Sequence, residues 1–509
     1  MKSKLIGLFV LVSLLLLACT KHPEQNNQQV LVKIADRQIT TDEFLRRAEY
    51  TIRPRYARGN SNIDKKIVFN SLVAEKLIAL DAGSQSPLLQ NDRFKSYIQG
   101  RKEQAMRQWM FYQEGTKKVK LDPEEIQRVY RVAGRTYKVH YLSLNSKSKA
   151  DSLVQLLRKE NISLEQLIKS GNPEARVPEK EIKFDSPEVD SIHRTLFSDT
   201  LSKGQLLGPI KIEPNFYMVM QVAGYTDRLA MTDRDIKQRI NDVKEKLTQL
   251  KATDIYAKFV AKLMSGKRLD FNRNTFKEMI KFLKPIYFMD EKQKKELFLG
   301  QLFKHNPELP DSFNFEDQYQ KLKSLPFFTY EGQTWTVEQF MNELEKHPLV
   351  FRRRRFSPAE FPEQLRLAIA DLLRDREITK VAYQKGYDRV PSVVQYTQMW
   401  QDALLAQFQI EQYLKEHGVS KTDSLNSVKI IQQYLEPYVG QLREKYKDQI
   451  EVNVAAFDSL KLTRIDMFAW QTNVPFPIIV PAFPQVTMYH RLDYGQPMPG
   501  TEIKRKAKP

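Results

Sequence analysis

Cysteine is almost absent from this 509-residue chain, with Cys19 as its only representative. With no second thiol there is no internal disulfide, so the folded state has to rest on packed apolar side chains. Glycine is scarce as well, at 18 residues, and no glycine-rich phosphate loop follows a strand pattern, which sets nucleotide folds aside. The seven histidines are scattered, with neither an HExxH pattern nor the Cys/His spacing of a metal centre. No serine occupies a nucleophile elbow. Beyond the first twenty residues no apolar run approaches the length of a membrane-spanning helix. What is present is 41% hydrophobic residues, enough for globular domains, and a formal net charge of +19. The length leaves room for several domains.

The apolar residues concentrate once. Lys2 and Lys4 precede an apolar run from Leu5 to Leu17 that ends at Leu16-Leu17-Ala18-Cys19. The run is too short, and wrongly flanked, for a spanning helix, and reads as a signal peptide. A signal peptide that stops at Leu-Leu-Ala-Cys resembles the lipobox of bacterial lipoproteins. That resemblance implies cleavage before Cys19, lipidation of Cys19, and a chain tethered to a membrane facing the periplasm. Thr20 after the cysteine resembles lipoproteins passed on to the outer membrane. Export removes nucleic acid from the expected partners of a basic chain and leaves anionic membrane, acidic glycolipid or acidic unfolded chains. The sharpest basic cluster, from Val350 to Phe356, is expected to be a solvated loop between helices.

Lys21 to Gln29 is polar and reads as a tether. Val32 to Thr40 alternates around Ala35-Asp36-Arg37, and Thr40 or Thr41 should cap a helix whose first turn holds Asp42 and Glu43. A second helix is predicted over Asp64 to Ala82, with Phe69, Leu72, Val73, Leu77 and Leu80 on one buried stripe, and a third over Asp92 to Glu114. The order then recurs. Phe328 to Thr336 repeats the strand-turn-strand, Phe340 corresponds to Phe44, and Leu372 corresponds to Leu72, with four extra residues in the loop between them. A weaker match pairs Tyr130–Leu144 with Tyr446–Leu460, each read as a helix end leading into a strand. This pattern is an internal duplication. Thr232 to Leu263 is predicted as one long helix packing inside its own chain. Residues 270–325 are predicted helical and aromatic-rich, 357–447 as three long helices, and Trp470 to Met498 as extended.

Between the copies, Tyr137-Lys138-Val139-His140-Tyr141-Leu142-Ser143-Leu144 resembles the first strand of a parvulin-type peptidyl-prolyl isomerase. Ser148 to Lys159 and Ser163 to Ser170 read as its two following helices. Leu196-Phe197, then Leu201 to Ile210, resemble the family's apolar helix, Gly turn and penultimate strand, and Phe216 to Val222 its closing strand. With the helices before it, the region resembles SurA-like and PrsA-like foldases. The resemblance places His140 at the first catalytic histidine, and Phe197, Leu206, Tyr217 and Met218 around bound substrate. Met218 stands where the family has its second histidine, and the charged stretch Ala175 to Val189 replaces its glycine-rich loop. Twisting an amide against a barrier of ~18–20 kcal/mol needs a shaped, desolvated pocket, and Met218 donates nothing to a histidine network. His140 is therefore expected to be structural.

The fold class expected is α+β and predominantly α-helical, with duplicated helical chaperone modules flanking a parvulin-like domain. The expected segments are a signal peptide (1–18), a tether (19–29), a first helical module (30–134), the parvulin-like domain (135–228), a helical region (229–325), a second helical module (326–449) and an extended tail (450–509). The expected function is that of a membrane-anchored foldase or chaperone for unfolded exported or outer-membrane proteins, without cofactor or metal. An active prolyl isomerase and an assembly lipoprotein with one fixed partner stay open as alternatives.

Overall fold

The computed structural model describes residues 29–213, 215–288, 315–353, 355–419, 427–463 and 467–499. Cys19 and the apolar run before it, like Phe298 and Phe303, lie outside the described residues. The described chain is α+β and predominantly helical, as its sequence patterning implies. Its strands are β1 (Val30–Ile34), β2 (Arg37–Thr40), β3 (Arg135–Leu144), β4 (Glu179–Lys183), β5 (Leu206–Glu213), β6 (Phe216–Asp227), β7 (Leu269–Phe271), β8 (Pro326–Tyr330), β9 (Gln333–Thr336), β10 (Ile450–Val452) and β11 (Gln496–Pro497).

The chain divides into two compact units, one of residues 109–265 and the other of 29–108 together with 266–499. The divisions of this two-way split fall at 108 and 265, and the finer segments expected within each unit are not separated by it.

In the larger unit, β1 and β2 form the expected hairpin, turning at Ala35 with φ 52°. Thr40 is the N-cap of the helix Thr41–Glu49, accepting from the Glu43 amide. The next long helix starts two residues earlier than expected, at Asn62, because Ser61 and Asp64 close a capping box. It is buried almost all round rather than along one stripe: Lys65, Asn70, Ser71, Glu75 and Lys76 lie inside with Phe69, Leu72 and Val73. Buried charge needs partners. The Arg47 guanidinium donates to both Glu75 oxygens at 2.7 Å and to the Ala482 carbonyl at 3.0 Å. Lys76 sits 3.1 Å from both Glu43 and Asp402, and Arg37 donates to Asp402 at 3.1 Å. Phe44, Phe69 and Phe457 meet edge-on or tilted in the same core, with centroids 5.0–6.4 Å apart.

The tail is part of this core. Phe476, Val480, Phe483 and Val486 are buried in it, and its carbonyls are held by side chains from the helices. Arg101 donates to Ile478, Gln104 to Phe476, and Asn70 to Tyr489 and Arg491.

The same unit contains a second core around β7, β8 and β9, with the helices Arg273–Tyr287, Val337–Lys346 and Phe361–Gln384. Its order of elements parallels that around β1 and β2. A hairpin with positive φ at Glu331 and Gly332 leads to Thr336, which caps the next helix in a capping box with Gln339, and a long helix follows. In each copy a third strand pairs antiparallel with the hairpin's first strand, β10 beside β1 and β7 beside β8. The weaker third match does not hold over its length. Tyr130–Leu144 leads into the ten-residue β3, whereas Tyr446–Leu460 yields the three-residue β10 and then the helix Val454–Ser459.

The aromatic stretch over 270–325 contributes, among the described residues, β7 and the helices Arg273–Tyr287 and Phe315–Leu322 to this core, with Phe276 and Phe282 buried. Of the three helices expected over 357–447, two are continuous, Phe361–Gln384 and Pro391–Glu416. The third is wound as a π-segment at Ile431–Leu435. The basic segment from Val350 is pinned rather than freely solvated. Arg352 makes two 2.8 Å bonds to Asp371, Arg353 reaches Glu360, and Phe351 and Phe356 pack against the core.

The smaller unit holds a four-stranded antiparallel sheet in the order β4-β3-β6-β5. The helices Lys147–Lys159, capped by Ser146 rather than Ser148, and Leu164–Gly171 cover one face. The helix Asp190–Phe197 covers the other. Within Ala175 to Val189, expected to be a loop, lies the edge strand β4. The long helix begins after its Thr232 cap and packs Val243 and Leu247 against Val129 of the same unit.

Candidate functional site

The sheet of the smaller unit carries His140, Leu206, Tyr217 and Met218, Phe197 ends the helix Asp190–Phe197, and the pairing register decides which of them meet. His140 on β3 is opposite Glu179 on β4 and Gln221 on β6, and Gln221 is opposite Leu206 on β5. These four make one row across the sheet. Met218 lies three residues along β6 and is paired with Ser143 and Ile210. Side chains alternate faces at every residue, so an odd displacement moves Met218 to the face opposite His140.

The packing agrees. Leu142, Leu144, Leu206 and Tyr217 pack with Ala150, Val154 and Leu164, under the first two helices. Met218 and the buried Phe197 pack with Tyr137, Val139 and Ile192, under the third. The expected substrate pocket of Phe197, Leu206, Tyr217 and Met218 is thus split by the sheet. Leu206 and Tyr217 share a face with His140; Phe197 and Met218 do not.

The polar groups of the His140 row are committed to neighbours. His140 Nε2 is 3.5 Å from Glu179 Oε2, and Lys138 stands 3.0 Å from the same oxygen. The hydrogen bond from Lys138 is the main cause that lowers the Glu179 carboxyl below its ordinary range, with the nearby lysine and histidine charges adding to it. The Gln221 carboxamide is used at both ends. Its oxygen accepts from the Leu164 amide at 2.9 Å, and its nitrogen donates to the Gly204 carbonyl at 2.9 Å. Close backbone packing fixes β5 against β6. Gly208, at φ 112°, has room for no Cβ, which would lie 2.8 Å from the Met218 carbonyl. The row can orient and bind, but the cross-strand neighbours of His140 are Glu179 and Gln221, not a second histidine.

A second histidine, not singled out by the sequence, lies beneath the other face. His193 is 3% exposed, its ring packed against Phe184 and Phe197 at 4.8 and 5.0 Å. Its Nε2 is 3.1 Å from the Phe184 carbonyl, and its Nδ1 has no partner. Burial, reinforced by Lys246 and Arg194 nearby, lowers its pKa to about 3. The signal that could have found it is its position in the apolar helix sequence Ile192-His193-Arg194-Thr195-Leu196-Phe197.

Several apolar side chains of this unit are exposed along one stretch of chain. Tyr225 at the end of β6, Leu229, Met231 and Ile236 are 41%, 72%, 79% and 37% exposed, interleaved with Arg228 and Arg234 and with Asp227, Asp233 and Asp235. Among the described residues no three His, Cys, Asp or Glu side chains are grouped to hold a metal ion, and no helix is long and apolar enough to cross a membrane. No family model matches the chain, and neither a curated protein nor a solved structure matches it.

Proposed function

We propose that this chain is a lipid-anchored foldase or chaperone of the bacterial envelope that holds unfolded exported proteins, with a parvulin-like domain retained for binding rather than catalysis. The observation that carries the reading is the exposed set Tyr225, Leu229, Met231 and Ile236. Soft, flexible apolar side chains adapt to extended chains of varied sequence, and such exposure on a soluble surface marks an interaction site. The succession of elements supports it: strand, two helices, edge strand, apolar helix, two strands over residues 135–227, flanked by duplicated hairpin-and-helix modules. The loss of catalysis is supported by Met218 lying on the face away from His140 and by the Glu179 carboxylate 3.5 Å from the His140 ring.

The test has two arms. Suppression of aggregation of several unrelated unfolded outer-membrane proteins is expected, and is reduced by Leu229→Ser with Met231→Ser; activity toward none of them overturns the chaperone reading. In a protease-coupled assay on prolyl peptides no acceleration is expected; robust acceleration abolished by His140→Ala overturns the non-catalytic reading.

A further inference from the structure

The two ends of the described chain leave the larger unit at one end of one sheet. β1 begins at Val30, and β10 runs antiparallel beside it, with Val32 opposite Val452. Beyond that pair Asn453 donates to the carbonyls of Leu31, at 2.8 Å, and Val30, at 3.3 Å. β11 runs parallel to β10, with Pro497 beside Val452, and the Met498 amide donates to the Val452 carbonyl. Both chain ends therefore point the same way, two strand spacings or about 10 Å apart.

The sequences beyond the two ends both suit a membrane surface. Upstream, Cys19 is ten residues before Gln29, a contour of at most about 35 Å. Downstream, Lys504-Arg505-Lys506 and Lys508 come within ten residues of Met498, with Glu502 the single acid among them. A cleft of about 620 Å³ next to Asn453 is lined by Lys66, Arg491 and His490 together with Asp458, Asp493 and Val454. Val454 and Ile63 are 41% and 57% exposed there.

We propose that this end of the β11-β10-β1-β2 sheet is a membrane-docking pole, which seats on an anionic phospholipid bilayer with the C-terminal lysines and arginine as a second anchor. The proposal rests on the lipid-anchor reading of Cys19 for its orientation, and its physics is that of paired signals. One acyl signal with one basic cluster holds a surface far more firmly than either alone, and cations gather where anionic headgroups set a negative potential. The exposed Val454 and Ile63 would reach the headgroup boundary beside them.

The test uses the unlipidated chain, from residue 19 onward with Cys19→Ser, and sedimentation with vesicles of phosphatidylcholine alone or mixed with phosphatidylglycerol. Binding to the mixed vesicles only, weakened by salt, is expected. Replacing Lys504, Arg505, Lys506 and Lys508 together by Gln is expected to weaken it by about tenfold or more. Lys66→Gln with Arg491→Gln is expected to weaken it further, circular dichroism confirming that both variants fold. Equal binding to both vesicle types, or unchanged affinity in the tail variant, overturns the proposal. Acylation of Cys19 is read separately from the mass of the mature N-terminal peptide. An unmodified Cys19 defeats the lipid-anchor reading while leaving the vesicle measurement to decide the pole.

Discussion

Arg47 and Glu75 face one another across two parallel hydrogen bonds of 2.7 Å, with side chains 0% and 3% exposed. Burial by itself would lower the Arg47 pKa; the Glu75 carboxylate, with Glu43 and Asp402 nearby, outweighs it and keeps the guanidinium charged. Removing one partner strands the other in an apolar core. Glu75→Leu is expected to cost about 3–5 kcal/mol in urea unfolding, and Arg47→Met with Glu75→Leu to recover most of that loss. A double variant no better than the single one would show that the pair does more than neutralise itself.

His193 makes stability depend on pH. Its folded pKa is lowered to about 3 from an unfolded value of 6.5, so it is neutral when folded and protonates on unfolding in acid. The groups facing it, Lys246 and Arg194, disfavour the charged form as well, while Asp190 lies 3.7 Å from Lys246. Its contribution is therefore intact above pH 6.5 and is lost progressively as pH falls toward 3. Within that window the loss approaches about 1.4 kcal/mol per pH unit. His193→Gln should flatten that slope in urea titrations at stepped pH, and an unchanged slope would reject this assignment.

A histidine at position 218 should not create a prolyl isomerase. Met218→His puts a ring under the helix Asp190–Phe197, on the far side of the sheet from His140. Prolyl isomerisation by this variant is expected to match the parent. A gain that also requires His140 would mean that the two rings meet.

Gly100 is a helix residue at which alanine should hurt. Glycine inside a helix usually costs about 1 kcal/mol relative to alanine. Here a Cβ would lie 2.0 Å from the Lys346 carbonyl and 2.8 Å from the Phe476 ring. Gly100→Ala is expected to lower stability by about 1–3 kcal/mol, as an overpacked core does. Denaturant midpoints of the two proteins decide it.

Much of the fold was legible because it repeats local chemistry. The Thr40 and Thr336 caps, the hairpins before them and the long helices after them all arise from short-range patterns. β4 was not legible, because in Glu179-Lys180-Glu181-Ile182-Lys183 only Ile182 is buried. The inward charges of the helix Asn62–Ala82 were not legible either. Lys76 and Glu75 have their partners in Glu43, Arg47 and Asp402, which are distant in sequence. The site failed at register. Motif order places His140 and Met218 on neighbouring strands, but only the pairing tells which face each takes.

The pairing of β1 with β10 has a consequence for biogenesis. Val32 meets Val452, 420 positions further along the chain, so the β1–β2 hairpin, once it has left the ribosome, waits for a segment made much later before its sheet is complete. Until then β1 presents an unpaired edge, open to any extended strand nearby. During its own synthesis this protein is in the condition of the clients proposed for it, and a mature copy beside it would be a natural first guardian.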